Sequence, residues 1–307
     1  MIKNLVCLSL LIYELALCSC SLTQDNNAAS CSLAKELSEY VNSVPGIVGI
    51  AYVSGNDTVC INNGVHFPLM SVFKLHESLA VLDALKRKGI SVDTILDIRN
   101  DEIDRETWSP MLQDFTEPDF KVSVGKLIDY AITASDNNAS NILFQRIIMP
   151  KEVDRYIRTI TPDTTFSIAW TEAEMKQNHD RAYDNYTSPL SAALLIKKVM
   201  DVNSAINDTD SIIRRALTTV TTGQDRLGVV LKERQDVVFA HKTGSGYRNM
   251  RGELIAHNDV GYFRFPDGSE YALAVFIRDF RGAESAASKV IADISRIVYS
   301  YHELGKH

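Results

Sequence analysis

The stretch Phe67-Pro68-Leu69-Met70-Ser71-Val72-Phe73-Lys74 decides how the chain is organised. Pro68 predicts a helix start, because its fixed φ suits a first turn and its missing N–H is not needed there. Ser71 then falls in the opening turn. Lys74, three residues on, shares its face and can reach the hydroxyl. The run continues through Leu75, Leu79, Ala80, Val81, Leu82 and Leu85, so apolar that the helix must be buried. A buried lysine loses the solvation of its charge, so its pKa can fall towards what a general base needs. The helix start also offers N–H groups without intrahelical partners to a developing oxyanion. Ser-x-x-Lys alone is a weak signal. It recurs at Ser32-Leu33-Ala34-Lys35 and Ser123-Val124-Gly125-Lys126, where a surface serine and lysine on a helix explain it.

Two further segments change the reading. Ala134-Ser135-Asp136-Asn137-Asn138 lies between two helical runs; a helix cap or Asx-turn would account for it in isolation. His241-Lys242-Thr243-Gly244-Ser245-Gly246 follows a strand and precedes Tyr247 and Arg251-Gly252, as a hairpin turn could. All three in this order, on a helix start, an interhelical loop and a strand end, rarely arise together by chance.

Around these motifs the chain divides readily. Ser32 to Val44 reads as an amphipathic helix, Gly46 to Val53 as a buried strand, and Gly55-Asn56-Asp57 as a turn back into Thr58 to Ile61. From Ser71 to about Val202 the pattern is helical, broken by loops rich in Asp, Asn and Pro. Strand character returns at Val237 to Ala240, Leu254-Ile255-Ala256, Val260 to Phe263 and Tyr271 to Ile277, ahead of a helix from Glu284 to His302. The expected fold class is α+β. Residues 31–66 and 215–307 form an antiparallel sheet flanked by the terminal helices, and 67–214 form an all-helical lobe, with a site at the junction.

The first twenty residues are set apart. Lys3 precedes an apolar stretch from Leu5 to Leu17, too short to span a bilayer comfortably, and the chain turns polar at Thr23. This reads as a cleaved export signal, 1–20, for a periplasmic protein. Leu17-Cys18-Ser19-Cys20 resembles a lipoprotein cleavage box, which would leave a lipid anchor at Cys20; simple cleavage nearby is the alternative. Of five cysteines, Cys7, Cys18 and Cys20 lie in this segment, so a disulfide scaffold is excluded. A Cys31–Cys60 bridge is disfavoured, because a helix about 20 Å long separates the expected positions of the two.

The net charge of −7, with no basic run beyond Lys86-Arg87-Lys88, argues against nucleic acid as a partner. The seven histidines show no His-x-His or His-Glu-x-x-His spacing, so no metal and no cofactor is expected. Gly-x-Ser-x-Gly is absent, which argues against a Ser-His-Asp hydrolase. No protein partner is implied.

Taken together, Ser71-x-x-Lys74, Ser135-Asp136-Asn137 and Lys242-Thr243-Gly244 resemble the motif set of class A β-lactamases and penicillin-binding proteins. The resemblance runs from about Ser32 to Leu304, looks like the extended-spectrum, Bacteroides-type branch, and implies a five-stranded antiparallel sheet. It implies acyl transfer from a small β-lactam, cephalosporins and penicillins alike. Ser71 would be the nucleophile, activated by Lys74 or by Glu172 through a water, and Ser135 the proton donor to the lactam nitrogen. Lys242 would tune Ser135, and Asn137 would hold the substrate's side-chain amide. Lys242, Thr243, Ser245 and Arg251 would bind its carboxylate, and Trp108, in an aromatic-Ser-Pro turn with Ser109-Pro110, would flank the entrance.

A deacylating base separates a hydrolase from the rival D,D-peptidase or β-lactam-sensing receptor. The family carries it on a loop that resembles Trp170-Thr171-Glu172-Ala173-Glu174-Met175-Lys176 here, with Glu172 as base and Glu174 as the fallback. Three positions depart from the pattern. Lys176 replaces an Asn that helps hold the hydrolytic water, and Trp170 and Asn185 stand where an Arg–Asp bridge closes the loop.

Overall fold

The computed structural model describes residues 26–201 and 210–304. The expected export signal, with Cys7, Cys18 and Cys20, lies outside the described residues. The chain opens on α1 (Asn26–Asn42), β1 (Ile47–Ser54) and β2 (Asp57–Ile61). Helix α1 starts earlier and stops sooner than expected. Pro45 disfavours helical backbone at Val44, so the last turn unwinds before it. Gly55 takes a φ of 54° and turns β1 into β2.

A short strand β3 (Phe67–Pro68) and a 3₁₀ turn (Met70–Val72) then precede α2 (Phe73–Lys88). Pro68 therefore ends a strand instead of opening the helix, and Ser71 sits in the tighter turn ahead of α2. Gly89, at φ 65°, caps α2 in the left-handed conformation, after Lys86, Arg87 and Lys88 in its last turn.

The middle of the chain is not wholly helical. Strands β4 (Ile95–Ile98) and β5 (Phe120–Ser123) pair, ahead of α3 (Val124–Thr133), α4 (Asn137–Arg146) and α5 (Pro150–Ile160). Then come β6 (Phe166–Ser167), α6 (Glu172–Gln177), β7 (Tyr186–Thr187), α7 (Pro189–Met200) and α8 (Asp210–Thr218). Strands of two residues carry no readable alternation, which is why the sequence pattern passes over β3, β6 and β7. These three form a small antiparallel sheet in the order β3-β7-β6. Phe67 and Phe166 both pair with Thr187, and Pro68 and Ser167 with Tyr186. Both ends of the loop bearing α6 are thus fastened beside the turn that carries Ser71.

The chain closes with β8 (Val238–Ser245), β9 (His257–Arg264), β10 (Glu270–Arg278) and α9 (Glu284–Leu304). The main sheet has five antiparallel strands in the order β2-β1-β10-β9-β8. Strand β8 runs on through Ser245, so Lys242-Thr243-Gly244 lies inside it. Leu254-Ile255-Ala256 is not a strand; Leu254 only bridges Arg248 and Phe280.

Both faces of this sheet are buried, which explains the near-continuous apolar character of β1 and β10. Ala51, Val53, Ala272, Ala274 and Phe276 face a cluster shared with α2, α3, α4 and α7. Val48, Ile50, Leu273, Val275 and Ile277 face a second one with Leu33 and Leu37 of α1 and Ile291, Ile294 and Val298 of α9. Cys31, exposed, lies in α1 and Cys60, half-buried, in β2. Among the described residues no helix is long and apolar enough to cross a membrane.

Candidate active site

Beside Ser71 the backbone is held in uncommon conformations. Met70 has a φ of 45° and Ser135 one of 54°, left-handed values that non-glycine residues adopt only when their surroundings enforce them. For the Met70 turn, the enforcement comes from β8 and β9. Asn258 donates from Nδ2 to the carbonyls of Pro68 (2.8 Å) and Leu69 (3.2 Å). Gly244 packs so closely that a Cβ there would stand 2.5 Å from the Leu69 carbonyl oxygen. The glycine of Lys242-Thr243-Gly244 thus permits the strand to approach the turn that carries Ser71.

Lys74 is fully buried and points back at that turn. Its Nζ donates to Ser71 Oγ (2.9 Å), the Ser135 carbonyl (2.8 Å) and Asn137 Oδ1 (2.6 Å), and lies 2.8 Å from Glu172 Oε1. Ser71 in turn donates to Glu172 Oε1 at 3.3 Å. Four acceptors around one nitrogen suit an ammonium, which has three donors and no acceptor. In this resting arrangement the group able to accept the Ser71 proton is the Glu172 carboxylate.

Across the cleft, Lys242 is likewise fully buried and donates to Ser135 Oγ and to the Thr243 carbonyl (3.0 Å). Burial, reinforced by the Lys74 charge, pushes its pKa well below the ordinary lysine range. Asp136 of the same loop faces away from the reacting atoms. It caps α4 at Ala139 N (2.9 Å) and accepts from Ser109 Oγ (2.9 Å) and Met111 N (2.8 Å). Trp108 Nε1 donates to the Ala134 carbonyl (2.8 Å), and Asn137 N donates to the Trp108 carbonyl (3.0 Å). These bonds fix the exposed Trp108 ring at the rim.

Glu172 and Glu174 part company in the first turn of α6. Glu172, only 9 % exposed, faces Lys74. Glu174 turns back to close a capping box with Thr171, accepting from its N (2.9 Å) and Oγ1 (3.0 Å). The loop is held without an ion pair between Trp170 and Asn185. Buried Asn185 accepts from Ala169 N (2.8 Å) and Trp170 N (2.9 Å) and donates to the Trp170 carbonyl (2.8 Å). Asn141 Oδ1, from α4, accepts from Ala173 N (3.0 Å). Lys176 does not crowd Glu172: its Nζ pairs with Asp104 Oδ2 at 2.5 Å.

Ser71, Trp108, Ser135, Asn137, Glu172, Thr243 and Ser245 line one cleft of ≈ 900 Å³, with Lys74 and Lys242 buried behind them. Arg251 does not join them. It lies 69 % exposed on the loop after β8, and its Nη2 pairs with Glu253 at 2.7 Å. Short Glu253, flanked also by Arg281 and Asn249, draws it away from the strand end. The cation beside Ser245 is Arg226, only 7 % exposed, whose Nη2 donates to Ser245 Oγ (2.7 Å) and Nη1 to the Asn258 carbonyl (2.7 Å). Sequence reasoning missed Arg226 because it sits in no motif; the run Thr221-Thr222-Gly223 before it was the available signal. It also missed Asn258, and the stacked rings of His179 and Tyr247 (3.6 Å apart) at the cleft mouth. Among the described residues no cluster of His, Cys, Asp and Glu could hold a metal.

The model of the β-lactamase enzyme family matches residues 32–302. The chain belongs to that family. It is 42 % identical to a β-lactamase of Phocaeicola vulgatus over 96 % of this chain and 92 % of that protein. A crystal structure of a class A β-lactamase from Bacteroides cellulosilyticus superposes with a TM-score of 0.82 at 29 % identity, covering 89 % of this chain and 98 % of the other. The TLA-3 extended-spectrum β-lactamase superposes at 0.83 and 30 %, covering 89 % and 98 %. Class A membership, the Bacteroides-type likeness and hydrolysis of β-lactams follow, and the peptidase and receptor readings give way.

Proposed function

We propose that this β-lactamase works by acyl transfer through Ser71 and an acyl-enzyme. The observation that carries the reading is Ser71 Oγ held between Lys74 Nζ (2.9 Å) and Glu172 Oε1 (3.3 Å). The Ser71 proton passes to Glu172 as Oγ adds to the lactam carbonyl carbon. The Lys74 ammonium steadies the charge that moves from Ser71 to Glu172. Backbone N–H groups of Ser71 and Ser245 hold the oxyanion. As the C–N bond breaks, Ser135 Oγ, held by Lys242, gives its proton to the departing nitrogen and recovers one from Glu172 by way of the Lys74 ammonium, so that Glu172 is a carboxylate again. Glu172 then takes a proton from water, whose oxygen adds to the ester carbonyl; as the ester C–O bond breaks, Ser71 Oγ recovers that proton from Glu172.

The substrate carboxylate fits the end of the cleft where Thr243, Ser245, Lys242 and Arg226 converge, and Asn137 takes the side-chain amide. Hydroxyls at both Thr243 and Ser245 favour cephalosporins beside penicillins. Export by residues 1–20 would place the enzyme in the periplasm, with a lipid anchor if cleavage leaves Cys20 first. The test is Ser71→Ala, expected to abolish both turnover and the acyl adduct in an intact-mass spectrum. An adduct on any other residue would overturn the assignment.

A further inference from the structure

Directly behind the Lys74–Glu172 pair lies a carboxyl that the mechanism above does not use. Glu77 stands one turn beyond Lys74 on the same side of α2 and is fully buried. Ser140 Oγ of α4 donates to its Oε2 at 2.7 Å, while Oε1 has no partner among the described residues. Ser140 lies one turn beyond Asn137, which accepts from Lys74, and next to Asn141, which holds the Ala173 N–H of α6. The Glu77–Ser140 bond therefore joins the two helices at the point where both meet the catalytic pair.

A carboxyl placed there is costly unless it does something, since an apolar side chain would fill the same space without an orphaned oxygen. We propose that Glu77 is a positioning residue that acts through Lys74, as a reserve negative charge behind the Lys74–Glu172 pair. Burial raises its pKa well above the ordinary carboxylate range, which favours the protonated form and leaves Glu172 as the anionic partner of Lys74. Above that raised pKa Glu77 ionises. Its charge then holds the Lys74 ammonium in its four-acceptor arrangement and preserves turnover.

The charged groups that act on Glu77 are Lys74 of its own helix and Glu172 of α6; α4 contributes the neutral Ser140. His76, the adjacent buried ionisable group of α2, faces Asp154 of α5 instead. Lys242 of β8 interacts with Lys74 and Glu172, and burial lowers its pKa well below the ordinary lysine range. Lys242 is the same in the parent and in Glu77→Gln, so its titration is common to both profiles and a displacement between them belongs to Glu77.

The experiment is the pH profile of kcat at saturating cephalosporin, for the full enzyme and for Glu77→Gln, which keeps the shape and the Ser140 contact without an ionisable group. The alkaline limb of Glu77→Gln should begin lower by about one pH unit, a loss of about tenfold in kcat at a fixed pH on that limb. Ser140→Ala keeps the carboxyl but removes the bond that favours its ionised form. Its limb should move the same way by a smaller amount, which carries the test should Glu77→Gln fail to fold. Superposed profiles, or a limb displaced upward, would overturn the proposal. The inference rests on reading Lys74 and Glu172 as the acyl-transfer pair. Failure of that reading shows separately, as the absence of a trapped adduct in Glu172→Gln.

Discussion

Arg226 Nη2 lies 2.7 Å from Ser245 Oγ, although nineteen residues separate the two and Arg226 stands before β8 instead of after it. This contact places the guanidinium at the end of the cleft proposed to take the substrate carboxylate, the part expected of Arg251. Charge-assisted hydrogen bonds contribute about 1.5–3 kcal/mol, so Arg226→Ala should raise KM for β-lactams about 10- to 100-fold. Arg251→Ala, at an exposed side chain, should leave KM within about twofold. Steady-state kinetics on the two variants checks the assignment, and the reverse ranking would restore Arg251.

Acid should weaken the fold through buried histidines. Burial lowers the pKa of His76 to about 4 and that of His257 to about 3, from 6.5. Between those values the unfolded chain binds protons that the native protein refuses, so stability is lost as pH falls from 6.5 towards 4. His76→Phe should flatten the dependence of the urea midpoint on pH across this window. An unchanged slope would show that His76 takes up its proton without cost in the native state.

The Asn185 side chain replaces an ion pair with three bonds to backbone, and its amide is needed for one of them. Asn185→Asp keeps both acceptor contacts to Ala169 N and Trp170 N but loses the donor to the Trp170 carbonyl. A buried group left unsatisfied costs about 1–3 kcal/mol. The variant should melt at lower temperature and its loop should be cleaved faster by protease. Equal melting and cleavage would mean that β6 and β7 alone hold the loop.

Much of the site was legible because its chemistry is carried by short local patterns. Ser71 and Lys74 meet through their three-residue spacing, although Ser71 lies in the 3₁₀ turn before α2, and Lys242 and Ser245 lie on one strand. The sheet showed itself through long apolar runs. What stayed hidden depends on contacts between distant segments. Arg226 reaches Ser245 only because the chain before β8 folds over the strand end, and Asn258 finds the Pro68 and Leu69 carbonyls from β9. Arg251 lies apart from the cleft in a way that a count of residues along a strand cannot register, because Glu253 pairs with it on the loop after β8. Lys176 pairs with Asp104, a residue of no motif. Glu77 gave no sign in sequence, since a single acid in an apolar helix reads as its solvent-facing side.

The central claim is that Ser71 is acylated and that Glu172 releases it. Glu172→Gln keeps the size and polarity of the side chain but cannot take a proton from water, and general-base assistance contributes about 10²–10⁴-fold. The direct measurement is intact mass of Glu172→Gln after mixing with a cephalosporin, followed over time, with Glu174→Gln as control. The account predicts a persistent adduct on Ser71 in Glu172→Gln, whereas Glu174→Gln, which retains an amide oxygen to close the Thr171 capping box, clears its adduct at the parent rate. An adduct that persists in Glu174→Gln while Glu172→Gln turns over normally would contradict it.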